Sequence, residues 1–249
     1  MPDSSFDFPE RFTRTVGLYG PRRFARIRAA SAVVVGVGGV GSHAAVALAR
    51  SGIGALTLID PDVVTVSSLN RHPCAGPPDV GRPKAEVLAA FLARTCPDTA
   101  VAARVAFFHA DTAAALLEPR QDLVIDAIDA LGPKVELLAW CLERGWPVAA
   151  SMGAAGHTDV TAVHAGDLWA ARRCPLARRV RRLLRRRGLE RPLPCVWSEE
   201  APAVPLAETG EEPGFRRGRP RRPLPSGMAL PGIFGYAVAS LGLDQVAGD

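Results

Sequence analysis

Two apolar rhythms alternate along the chain. Short apolar blocks at 32–35, 56–59, 101–108, 122–129 and 147–151 read as strands. Between them apolar residues recur at helical spacing. Over 84–94, Val87, Leu88, Phe91 and Leu92 share one face. Helical spacing also marks 22–30, and further helices are placed at 112–117 and 133–143. Pro21 and Pro133 stand near helix starts, where a missing N–H costs little. Strands alternating with helices predict an α/β fold, a doubly wound, mostly parallel sheet of Rossmann-like type. The rhythm changes after 151. A further strand is expected at 159–163, a basic helix at 170–187 and a closing helix at 232–246. The segment 206–226 is rich in Pro, Gly, Glu and Arg and reads as a mobile loop. The chain divides into an N-terminal arm and helix (1–30), a nucleotide-binding core (31–155) and a smaller C-terminal extension (156–249), all within one domain, 1–249.

The stretch that organises this pattern is SAVVVGVGGVGSHAAVALARSGIGALTLID, 31–60. It runs strand, glycine turn, helix, strand, acid, the order of a nucleotide-binding βαβ unit. Gly36 permits the tight turn, Gly38 leaves backbone open to phosphate, and Gly41 lets the helix lie close to the strand. Free N–H groups at the helix start then face an anion. Asp60, ending the second strand, can accept from ribose hydroxyls. A glycine-rich core turn with nothing bound is the alternative. Ligands of such sheets bind beyond the carboxyl ends of the strands, where Gly36, Asp60 and Asp129 all lie.

Composition narrows the classes. With 249 residues and 48% hydrophobic content the chain can bury a core. No apolar run has the length of a membrane span, and MPDSSFDFPERF lacks the basic start and apolar stretch of a signal peptide. A cytoplasmic protein without membrane contact is expected. Cys74, Cys96, Cys141, Cys174 and Cys195 form no CxxC pair, so structural zinc is not expected, and their wide spacing suits reduced thiols. The net charge is +5 and the pI about 9.3, but the basic residues are clustered.

Three features set the chain apart from an ordinary dehydrogenase: Asn70-Arg71, Lys84 in VGRPKAE, and Asp126 with Asp129 in DAID. Together they place two cations and an acid around a bound nucleotide. Phosphate chemistry requires cations for developing charge and an acid for Mg²⁺. Singly, Arg71 reads equally as a loop charge, Lys84 as a solvated helix residue and Asp126 as a structural strand-end acid; the joint spacing carries the functional reading. Cys195 reads either as an acyl-accepting thiol or as a buried strand cysteine, with the second favoured.

GVGGVGS, LTLIDPD, LNRH, VGRPKAE and DAID, in this order, resemble the ThiF/MoeB/HesA family, bacterial relatives of ubiquitin-activating enzymes. The resemblance implies binding of Mg-ATP and adenylation of a carboxylate with release of pyrophosphate. By it, Gly36, Gly38, Gly39 and Gly41 match the ATP loop and Asp60 the ribose ligand. Asn70, Arg71 and Lys84 match the polyphosphate set, with Arg71, Lys84 and Asp129 catalytic and Asp129 holding Mg²⁺. It also implies a homodimer in which Arg14, or its rival Arg11, acts in the partner's site. A monovalent cation and a sulfur-relay partner belong to the same inference.

Within the family, the opening RFTRTVGLYG, SMGAAG at 151–156, CPLARRVR at 174–181, CVWSEE at 195–200 and PGIFGY at 231–236 resemble the tRNA threonylcarbamoyladenosine dehydratases. That branch implies activation of the threonine carboxylate of a modified adenosine beside the anticodon, then ring closure with loss of water. The zinc cysteines usual in sulfur-carrier-activating members are missing. Departures include Cys174 in place of an acid and Ala130 where a polar residue is usual. The expected basic helix supports an RNA partner: its arginines, among them Arg178, Arg182 and Arg185, surround an apolar stripe of Leu176, Val180, Leu183 and Leu184, with no acid in the segment to pair them. Arg216, Arg217, Arg219, Arg221 and Arg222 add charge nearby in sequence. Two competing readings stand beside this one. One is an adenylyltransferase acting on the C-terminus of a sulfur-carrier protein or peptide; the other is a NAD-binding Rossmann protein.

Overall fold

A computed structural model describes residues 8–201 and 224–248. Its centre is β1 (Ser31–Val35), whose residues are too apolar and too β-branched to sit anywhere but between two covered faces. Around it lie β2 (Ala55–Ile59), β3 (Ala100–Arg104), β4 (Leu123–Asp126), β5 (Val148–Ser151), β6 (Val163–Asp167) and β7 (Pro194–Ser198). The sheet order is β3-β2-β1-β4-β5-β7-β6. Every neighbouring pair is parallel except β6 and β7, which run antiparallel at the edge. Chain order reverses between β1 and β4, the switch point where an open α/β sheet forms its crevice.

The helices are α1 (Thr13–Tyr19), α2 (Pro21–Ala29), α3 (Gly39–Arg50), α4 (Lys84–Thr95), α5 (Ala113–Leu117), α6 (Leu131–Arg144), α7 (Pro175–Arg185) and α8 (Ala229–Ala247). Strand alternation sends Ala32 and Val34 to one face, where Leu48 of α3, Leu88 of α4 and Phe234 of α8 bury against them. Val33 and Val35 point the other way, onto Leu117 of α5, Leu138 of α6 and Val180 of α7. Both faces are therefore dry, and the strand ends carry the polar residues. No helix among the described residues is long and apolar enough to cross a membrane.

Some boundaries move for local reasons. The strand expected at 159–163 begins only at Val163, because the Asp159 side chain accepts from the Thr161 amide (2.8 Å) and holds 160–162 in a helical turn. Its partner β7 is the buried strand around Cys195. The basic helix starts at Pro175, not at 170, since Asp167 caps a separate turn at Leu168–Ala170. The segment expected as a mobile loop, and the arginines at 216–222, lie outside the described residues up to 223; only 224–226 of it is described.

Candidate active site

The glycine turn after β1 is built by three separate constraints. Gly36 has φ +85°, and a Cβ there would come within 2.8 Å of the Ala127 carbonyl oxygen, so only glycine closes this bend. Gly41 packs against the Gly36 carbonyl and within 3.1 Å of the Ala127 Cβ, measured from where its own Cβ would stand. Gly38 differs: a Cβ there would meet nothing within 4 Å. The helix α3 starts directly after it, so its unpaired amides open onto that free space.

Asp60 fastens the turn to the end of β2. Its Oδ2 accepts from the Val37 amide at 2.7 Å and its Oδ1 from the Asp62 amide at 2.8 Å. The side chain is buried, and desolvation raises its carboxyl above the usual range while Lys84 pulls it back. Lys84, the first residue of α4, reaches Asp62 Oδ2 at 3.2 Å.

Arg71 lies along the turn, with its Cδ 3.1 Å from where a Gly39 Cβ would be. Its Nη1 donates to the Ser67 carbonyl (2.6 Å) and to Asn70 Oδ1 (3.1 Å). Asn70 does not line the cleft. Its amide nitrogen donates to the Ser226 carbonyl (2.8 Å), so it steadies Arg71 from behind. Behind Arg71, His72 is buried, and its Nδ1 accepts from the Cys74 and Ala75 amides. Burial first, then Lys84, lowers the His72 pKa to about 4.

These groups open on one cleft of about 510 Å³, lined by Gly36, Gly38, Gly39, Asp60, Arg71, Lys84 and Asp129. Asp129 is exposed on its wall, in the loop between β4 and α6. Met152, Gly153, Ala154 and Ala155 after β5, His157, and Cys174 to Leu176 at the start of α7 also line the cleft. Leu224 and Ser226 close one side. Gly41 stands behind the turn, where its close approach shapes the cleft without lining it.

The other expected site residues lie outside the cleft. Arg14 is exposed on α1, while its rival Arg11 is engaged with Asp98 at 3.0 Å. Arg178, Arg182 and Arg185 are exposed on α7. The expectation that the arginines of this helix stay unpaired is corrected in part. Arg185 meets Glu190 at 3.0 Å, just past the helix end, and Arg187 pairs with Glu136 from the neighbouring α6. Arg181 donates to the Leu168 and Ala171 carbonyls, at 2.8 and 2.7 Å. Cys195 is fully buried on β7, does not line the cleft, and burial pushes its thiol up to about 12. Sequence reasoning passed over Asp62, the partner of Lys84; Arg179, which does line the cleft; and Lys134, buried against Asp126. The signal for Lys134 was a lysine in an otherwise apolar helix face.

The ThiF family model matches residues 12–211. The chain is similar to a tRNA threonylcarbamoyladenosine dehydratase of Bacillus subtilis (strain 168), 34% identical over 228 residues, 90% of each chain. It is also similar to the enzyme of that name from Escherichia coli (strain K12), 38% identical over 210 residues, covering 80% of this chain and 77% of that one. A crystal structure of the E. coli enzyme in complex with ATP matches with a TM-score of 0.83 and 34% identity, over 95% of this chain and 93% of that one. With the glycine turn, the cation pair and the acid standing in one cleft, and with these likenesses spanning nearly its whole length, the chain belongs to the ThiF family.

Proposed function

We propose that this chain is an ATP-dependent tRNA threonylcarbamoyladenosine dehydratase, its whole length working as a single domain. The observation that carries the reading is the convergence of Arg71, Lys84 and Asp129 on one cleft floored by an open glycine turn. Hydride transfer to a nicotinamide needs neither cation on the phosphates, so the NAD-binding alternative leaves this convergence without a purpose.

The α3 amides and Gly38 receive the polyphosphate of ATP. Asp60 lies where ribose hydroxyls would meet it, and its two backbone bonds leave each oxygen a lone pair to spare. The carboxylate of the substrate attacks the α-phosphate, giving an acyl-adenylate and pyrophosphate. Arg71 and Lys84 hold the charge that spreads over the phosphates in that step. An exposed carboxylate that lines the same cleft as two cations fits a divalent ion beside the phosphates: Asp129 would hold Mg²⁺, which neutralises phosphate oxygens when bound. A nucleophile within the substrate then closes the ring and expels AMP, so no enzyme thiol is required. The burial of Cys195 supports that route.

The RNA lies along α7. Arg178 and Arg182 are exposed there, and Arg179 reaches from the same helix to the cleft. A second copy completes the site. Arg14 is free to enter the partner's cleft where Arg11 is not, and Leu18, 77% exposed on the same helix, offers an apolar contact. The protein works in the cytoplasm, with a monovalent cation and a sulfur-relay protein as further family companions. Pyrophosphate release from ATP tests the reading. It should rise with tRNA carrying threonylcarbamoyladenosine and not with a sulfur-carrier tail; the reverse would favour the carrier adenylyltransferase.

A further inference from the structure

Lys134 is fully buried, as is its partner Asp126. Its Nζ lies 2.7 Å from Asp126 Oδ2 and 2.8 Å from the Ser151 carbonyl oxygen. The position is a poor one for a cation. Taking an ammonium from water is costly, and Lys134 sits near the N-terminus of α6, where the helix dipole is positive. A methionine or leucine would fill the space at lower cost. Stability alone therefore does not account for the residue.

Its partners show what it holds. The other oxygen of Asp126, Oδ1, accepts from the Ile128 amide at 3.0 Å, which curls the chain directly after β4. That curl contains Ala127, whose carbonyl abuts Gly36, and it ends at Asp129 on the cleft wall. Ser151 ends β5, the strand beside β4, and leads into Met152, Gly153 and Ala154, which line the same cleft. One ammonium thus ties together the loops that leave β4 and β5, and the first of them leans on the phosphate-binding turn.

We infer that Lys134, through Asp126 and Ser151, is a positioning residue that sets the Asp129 loop against the glycine turn and so fixes the geometry of divalent-ion capture. This rests on the reading of Asp129 as the Mg²⁺ ligand. Lys134 touches no reacting atom. Its effect is on where the carboxylate of Asp129 stands.

The test uses the full-length protein carrying Asp126→Asn and Lys134→Met together, which removes both charges without orphaning either. Asp126→Asn alone is the second variant. With one acceptor oxygen, asparagine satisfies either Ile128 or Lys134 but not both, and it leaves the buried ammonium without a counter-charge, so its effect should be at least as large. Two quantities are read: amide exchange of 127–130 and 151–155 without nucleotide, and the Mg²⁺ concentration that half-saturates ATP binding by calorimetry. In the paired variant both segments should exchange at least about tenfold faster, and the Mg²⁺ requirement should rise roughly 10- to 100-fold, the usual effect of losing a residue that orients a metal ligand. ATP binding without Mg²⁺ should be unchanged. A folded variant of either kind with an unaltered Mg²⁺ requirement overturns the inference, even if the loops loosen, because a purely structural tie would do only that. Wild-type protein that binds Mg-ATP yet makes no cyclic product would instead refute the substrate reading and leave the Lys134 result legible.

Discussion

The glycine turn yields the sharpest mutational contrast. At Gly41 a methyl group would stand 2.9 Å from the Gly36 carbonyl carbon and closer still to its oxygen, with the Ala127 Cβ at 3.1 Å. These neighbours belong mainly to the backbone of β1's turn and cannot swing aside. The helix α3 must shift from the sheet, at a cost of about 3 kcal/mol, the upper part of the usual range for overpacking. For a chain of this size that lowers the melting temperature by about 6–12 °C. At Gly38 the same methyl group meets nothing within 4 Å and leaves the fold almost untouched. It does project into the space assigned to phosphate. A clash there of roughly 1–3 kcal/mol weakens ATP binding by about 5- to 150-fold. Gly41→Ala should therefore melt early, while Gly38→Ala should melt like the wild type and bind ATP poorly. Differential scanning calorimetry and ATP titration on the same samples check both. A Gly38→Ala protein with wild-type affinity, or a Gly41→Ala protein with wild-type melting, would refute the division of labour in the turn.

Arg71→Ala should lower turnover by roughly 10²–10³, as for one donor lost from a preorganised anion site, with melting unchanged. Cys195→Ala should keep substantial activity in the same assay, and a dead Cys195→Ala beside a working Arg71→Ala would reverse these roles. Glutamate at Arg178 and Arg182 together should abolish tRNA binding and flatten its salt dependence while sparing ATP binding, as filter binding at several salt concentrations would show. His72 makes acid costly. Its folded pKa of about 4 lies below the ordinary 6.5, so the unfolded chain binds the extra proton between those values. Its contribution is full above pH 6.5 and is lost as the pH falls towards 4, by roughly 3 kcal/mol. His72→Asn, which keeps an acceptor for the Cys74 and Ala75 amides, should reduce that loss in urea melts at pH 7 and pH 4.5.

The opening βαβ unit was legible because each of its features is local. The turn glycines, the apolar block of β1 and the acid after β2 answer to backbone sterics and burial within one stretch of chain. The placement of Arg71 and Lys84 on the same cleft was legible only through their joint spacing. What stayed hidden depends on partners far apart in sequence. The engagement of Arg187 with Glu136 exists because α6 and α7 pack side by side, and no pattern within α7 announces it. Asn70 matches the polyphosphate set by resemblance, and its bond to the Ser226 carbonyl, 156 residues on, could not be read from the residues around it. The Lys134 tie needs β4, β5 and α6 to be assembled first. The late start of β6 has another cause, a side-chain cap at Asp159 that outcompetes strand extension over a few residues.

The central claim is that this cleft spends ATP on a nucleoside carboxylate. Its most direct test is mass spectrometry of nucleosides from tRNA treated with the protein, ATP and Mg²⁺. The account predicts that threonylcarbamoyladenosine loses the mass of one water while AMP and pyrophosphate accumulate in equal amount. An unchanged nucleoside, with pyrophosphate released only when a carrier-protein tail is supplied, would contradict it.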